Sequence, residues 1–129
     1  MNANAMADAW LRRLDKIVEG KLVLTEDVPD ETDWVDDRIY SIIIRDRSFD
    51  LIVEFVNKVL ERRSTEEVMD NLAAGPVETM LFHGREVALD LIVEEARRNR
   101  LFKQMLGGVW QNNLSDELWE KFLQARGEM

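Results

Sequence analysis

The sequence predicts an all-α protein, a compact orthogonal bundle of seven or eight short helices forming one domain over residues 1–129. Three observations predict it. Apolar residues recur at helical spacing through most of the chain, residues that start and stop helices punctuate the intervals, and no two strong strand segments exist to pair with each other. A chain of 129 residues buries one core without disulfides or a metal, and the absence of a clear period of roughly 34 to 45 residues argues against a solenoid.

Residues 4–19 place Trp10, Leu11, Leu14, Ile17 and Val18 on one helical face and Arg12, Arg13, Asp15, Lys16 and Glu19 on the other, with Gly20 as terminator. Lys21 to Asp30 lacks that period. It reads as a connecting loop that tucks Leu22-Val23-Leu24 onto the core, or in part as a short strand. Thr32 is placed to cap a second helix, with Asp33 in the first turn, where the helix dipole favours negative charge. Val35, Ile39, Ile42 and Ile43 form its stripe. The run Ile39 to Ile44 is β-branched, but a lone strand leaves its backbone donors unpaired, so helix is expected.

Ser48 is placed to cap a third helix with Leu51, Ile52, Phe55, Val56, Val59 and Leu60 on its apolar face, a Glu54–Lys58 pair and a basic last turn, Arg62-Arg63. Ser64 with Glu67 reads as a capping box opening a short fourth helix to Leu72 or Ala73. Gly75 is expected to take the positive φ that closes it, Pro76 to open a fifth helix and Gly84 to end that one. From Arg85 to Arg98 only Glu86, Asp90, Glu94 and Arg98 make a polar stripe, which places this helix centrally. Leu101 to Leu106 follows, Gly107-Gly108 breaks it, and Ser115 caps a last helix carrying Leu118, Trp119, Phe122 and Leu123, with Gly127 as terminator.

The segment Leu72-Ala73-Ala74-Gly75-Pro76-Val77-Glu78, the pair His83-Gly84 and the run Gly108-Val109-Trp110 resemble the signature of a family of small bacterial helical domains of no established activity. The resemblance runs from about Leu72 to Phe122. Val77 stands where that pattern has Leu, and residues 1 to about 45 match nothing in it. It implies a helical domain and a bacterial source, and carries over no catalytic residue.

Hydrophobic residues make up 46% and charged residues 33% of the chain, and the longest uncharged run, Gln104 to Ser115, is too short to span a bilayer. The N-terminus lacks a basic start followed by an apolar core, so no signal peptide is expected and the location is expected to be cytoplasmic, in agreement with the absence of cysteine. Formal charge is −9, concentrated in Glu26, Asp27, Asp30, Glu31, Asp33, Asp36 and Asp37, with no basic residue between them up to Asp37. This balance argues against nucleic acid as partner and for a basic protein. No glycine lies within residues 26–37, so a calcium-type loop is not expected, and no metal or cofactor is assigned.

Seven acids without neighbouring cations repel one another, which a basic partner would relieve. Together with Trp34, whose ring among Asp33, Asp36 and Asp37 suits an Arg or Lys, they form the expected docking surface. Trp10, Trp110 and Trp119 are expected in the core. His83, the only histidine, reads as a helix-end residue, and Arg97, Arg98, Arg100 and Lys103 as solvated or paired with Glu94 and Glu95. No phosphate loop or nucleophile elbow is present. The expectation is an interaction module without enzymatic activity, in concrete form an immunity protein or inhibitor of a basic toxin such as a nuclease. The alternatives are a subunit or regulator of a larger assembly, and a small carboxylate-dependent hydrolase in which Glu78 and His83 share a cleft.

Overall fold

Helix α1 (Ala3–Val18) starts at Asn2, whose side-chain oxygen accepts a hydrogen bond from the Ala5 amide at 2.9 Å, satisfying one of the donors that a helix start leaves open. Gly20 follows at φ +70°, in the terminating role its position predicts. The structure, a computed structural model, describes residues 2–20, 30–112 and 114–127. The Leu22-Val23-Leu24 trio expected on the core lies outside them.

Helix α2 (Trp34–Ser41) runs directly into a wider π turn, Ile42–Asp46, so the β-branched run is helical as expected. Arg47 closes it in the left-handed region at φ +50°, and the Arg47 and Ser48 amides both donate to the Ile42 carbonyl. The cap differs from expectation. Asp33 rather than Thr32 precedes the helix, and the buried Thr32 gives its hydroxyl to the Asp30 carboxylate.

Helix α3 (Phe49–Arg62) supplies the centre of the core, with Ile52, Phe55, Val56 and Val59 fully buried against α1 and its later neighbours. Trp10 meets Phe55 edge to face at 6.2 Å, and Arg63 grips both oxygens of Asp15 at 2.6 and 3.1 Å, tying the far end of α3 to α1. Ser48 stands at its cap without a side-chain bond. Lys58 pairs with Glu61 at 3.5 Å instead of with the expected Glu54.

Thr65, not Ser64, caps α4 (Glu66–Leu72): its backbone is extended and its hydroxyl accepts from the Val68 amide at 3.3 Å. The expected break at Gly75 is absent. A second π turn, Ala73–Val77, carries the chain through Gly75 and Pro76 into α5 (Glu78–Arg98), and Gly75 has no positive φ. Proline lacks the amide and its ring clashes with the carbonyl four residues back. A wider turn removes that clash, and glycine before it offers no Cβ to meet the ring. The break expected at Gly84 falls one residue on, at Arg85, whose φ of +45° and ψ of −121° interrupt α5.

Asn99 caps α6 (Arg100–Met105), a 3₁₀ turn covers Leu106–Gly108, and α7 (Asp116–Arg126) is capped by Ser115 and ended by Gly127 at φ +91°, as expected. The described residues contain no strand. Among the described residues the helices number six when α4 and α5 are counted as one, close to the seven or eight expected, the Gly75 break being absent. Phe55, Phe102 and Phe122 are fully buried, and α5 lies against α3, α6 and α7, the central position its apolar girth predicts.

Candidate interaction surface

The polar face of α1 is aimed at the acidic segment. Arg13 reaches Asp33 at 2.7 Å and Asp36 at 2.8 Å, Arg12 reaches Glu31 at 2.8 Å, and Lys16 reaches Asp30 at 2.8 Å and Glu31 at 3.5 Å. The hydrogen bonds from Lys16 and Thr32 hold the Asp30 carboxyl far below the usual carboxylate range, and Asp30 raises Lys16 in turn. Burial opposes the charge of Arg13, yet its bond to Asp33 and the charge of Asp36 raise its pKa overall. The acids from Asp30 to Asp36 are therefore not uncompensated, as the sequence suggested. Their cations lie some twenty positions earlier on another helix, where neighbour-by-neighbour reading does not find them.

Four of the five acids described here, Asp30, Glu31, Asp33 and Asp36, pair with three α1 cations, so the ridge remains negative, and Asp37 is exposed with no ion pair among the described residues. Glu26 and Asp27 lie outside the described residues. Trp34 is half-buried and packs against the core, so its ring is not the open face expected among acids.

A second surface gathers residues from four elements. Tyr40 of α2 meets the His83 ring edge-on at 6.0 Å, Phe82 meets it at 4.8 Å, and Arg47 donates to the His83 carbonyl at 3.2 Å. The 3₁₀ turn brings the chain back beside them. A Cβ on Gly108 would stand 3.1 Å from that of Ala73, so the small residue lets the loop lie on the second π turn. Val109 is buried and its carbonyl accepts from Arg126 at 3.1 Å. Glu78 then accepts from the Trp110 amide at 3.4 Å and from the Asn112 side chain.

Seated in this way, Trp110 is 74% exposed, with Tyr40 at 56% and Phe82 at 44%. This corrects its expected place in the core: of the three tryptophans assigned there, Trp10 is buried and Trp119 packs half-buried against Phe122, but Trp110 points outward. The run Leu106 to Trp110 gives no sign of it, because Leu106 and Val109 are both buried beside a tryptophan that is not.

Beside this patch lies a cleft of about 330 Å³ between α1, α2 and the second π turn, walled by Trp10, Leu14, Ile17, Ile39 and Pro76, with the Arg13–Asp36 pair at its edge. Tyr40 and Thr79 belong both to this cleft and to the open depression that holds Glu78, His83 and Asn112. The two form one continuous face. Glu78 and His83 thus share a depression, but both Glu78 oxygens are occupied by the Trp110–Asn112 loop, and the His83 ring makes aromatic edge contacts. Among the described residues no group of three His, Asp or Glu side chains is placed to hold a metal, and no helix is long and apolar enough to cross a membrane.

Fold and surface together define, over the described residues, an all-helical protein with an outward aromatic patch. The chain belongs to a family of unknown function, DUF6869, which matches residues 24–129. The match takes in the acidic segment and every helix after α1, reaching well upstream of the Leu72 start of the resemblance seen in the sequence. No curated protein and no solved structure matches the chain.

Proposed function

We propose that this protein is an interaction module that binds a basic protein partner through the Tyr40–Phe82–Trp110 face, in the manner of an immunity protein or inhibitor of a toxin such as a nuclease. The observation that carries this reading is Trp110, held outward by Glu78 beside two further exposed aromatics and an apolar cleft. Tryptophan and tyrosine concentrate binding energy at interfaces, and an apolar patch left open on a monomer marks a contact site. The negative ridge along α1 and α2 borders the same cleft, and the overall charge of −9 favours a basic partner by steering its approach.

The test is co-purification with the product of the neighbouring gene, followed by binding kinetics and inhibition of any nuclease activity that product has. Trp110→Ala should speed dissociation by about 30-fold or more, the equivalent of a hot-spot loss of about 2 kcal/mol, without altering the melting temperature. A complex indifferent to Trp110 would overturn the assignment of this face. Stable association without inhibition would favour a subunit or regulator of a larger assembly.

A second reading, a small carboxylate-dependent hydrolase, draws on Glu78 and His83 lining one depression. It requires the Asn112 loop to release the carboxylate, since a general base must reach its proton. Hydrolysis of ester and phosphoester substrates abolished by Glu78→Gln would favour it over the binding role.

A further inference from the structure

The end of α5, the start of α6 and the flank of α7 enclose another cleft, about 580 Å³ and largely polar. Five cations line it: Arg97, Arg98, Arg100, Lys103 and Lys121. Two are committed within the chain, Arg98 to Glu95 at 2.8 Å and Lys121 to Asp90 at 2.7 Å. The side chains of Arg97, Arg100 and Lys103 make no ion pair or hydrogen bond among the described residues. This agrees with the expectation that the group is solvated or paired with Glu94 and Glu95: Arg98 is paired, and Arg97, Arg100 and Lys103 are exposed. In a chain with 26 acids and 17 Lys and Arg, three unpartnered cations lining one concavity make a local positive patch against the overall charge.

We propose that this cleft binds a compact phosphate-bearing anion, a phosphomonoester or diphosphate group, between Arg97, Arg100 and Lys103. Guanidinium groups present paired donors that match phosphate oxygens, and the lysine adds a mobile point charge. Ala96 and Ala125 line the same cleft and put no long side chain into it. Compactness follows from the charge around the site: Glu86, Asp90, Glu94 and Glu120 are all exposed on α5 and α7, so a long polyanion leaving the cleft would run over like charge. A nucleic-acid strand is disfavoured on that ground, whereas a single phosphate or diphosphate group fits.

The whole chain is titrated with inorganic pyrophosphate at low ionic strength, by calorimetry and by amide chemical-shift mapping. Saturable binding with shifts at residues 96–103 and 121–125 is expected, weakened at least tenfold in Arg97→Gln/Arg100→Gln and in Lys103→Gln, and unchanged in Arg12→Gln. Vesicles carrying phosphatidic acid form a second arm. Retention on them that depends on the same arginines, with no response to free pyrophosphate, assigns the phosphate to a lipid headgroup and supports the cleft. A single-stranded oligonucleotide that binds more tightly than pyrophosphate would overturn the compact ligand. Absence of binding to every probe, or binding indifferent to the substitutions in variants that keep their circular dichroism, would overturn the site.

Discussion

A β-carbon on Gly84 would stand 2.8 Å from Cζ of Phe49 and 2.7 Å from the Ala88 Cβ. Glycine is there for close approach, since its φ is not positive. Both neighbours are buried, and Phe49 is fixed at the start of α3. Gly84→Ala should therefore cost about 1–3 kcal/mol through overpacking, read as a lowered denaturation midpoint. At Gly75 a β-carbon meets nothing within 4 Å and φ is not positive, so neither close approach nor backbone strain penalises a side chain there. Its alanine variant should lose less than that of Gly84, limited to crowding against Pro76. Equal losses would contradict this account.

Arg85 occupies φ +45°, ψ −121°, a region that glycine visits freely and a side chain does not. Arg85→Gly should stabilise the fold by about 1 kcal/mol, the relieved strain being partly offset by loss of the guanidinium's place over the Phe82 ring at 5.9 Å. A lower melting temperature for this variant would mean that the side-chain contacts outweigh the backbone.

Glu95 is 7% exposed, and its carboxylate is held by Asn57 at 2.9 Å and Arg98 at 2.8 Å. Asn57 in turn accepts from Asn99, whose oxygen caps α6 through the Phe102 amide. One chain of bonds thus joins α3, α5 and α6. Asn57→Ala strips a donor from a buried carboxylate and should cost about 1–3 kcal/mol, more than Arg98→Gln at the exposed end. Thermal melts of both variants check the order.

Hydrogen bonds from Arg63 and Lys16 lower the Asp15 and Asp30 pKa values below those of a free chain. A depressed carboxyl contributes stability above its unfolded pKa, about 3.9, and loses it as pH falls through the folded value. The melting temperature should accordingly hold near neutrality and decline below about pH 4. Asp15→Asn and Asp30→Asn should be less stable at pH 7 and show a shallower acid decline. Melts across that range that parallel the unaltered chain would refute the assignment.

Legibility followed the range of the physics. Periodicity and end signals are local, so α1, α3, α6 and α7 stand within a residue or two of where the spacing of Trp10, Phe55, Phe102 and Phe122 places them, and the Ser115 and Gly127 ends are as read. At Gly75-Pro76 two local rules pointed to a stop, but burial of Leu72, Ala73, Val77 and Met80 on one continuous face favoured a widened turn over a break. The candidate surface depends on pairs far apart in sequence. Arg13 with Asp33, and Glu78 with the Trp110 amide, leave no trace in either neighbourhood. Outward tryptophan is likewise invisible to composition, because the same residue serves equally well in a core.

The turn at Ala73–Val77 carries one residue more than an α-helical turn requires, and each residue of an α-helix advances the direction of a side chain by about 100°. A wider turn takes up that extra residue, so the side chains after it keep nearly the facing they would have without it. Excising Ala74 would close the turn to ordinary α geometry and bring the Pro76 ring back against the carbonyl four residues before it. The wide turn thus works as a spacer, letting one helical run pass through a proline while Glu78 still meets the Trp110 amide and His83 still meets Tyr40.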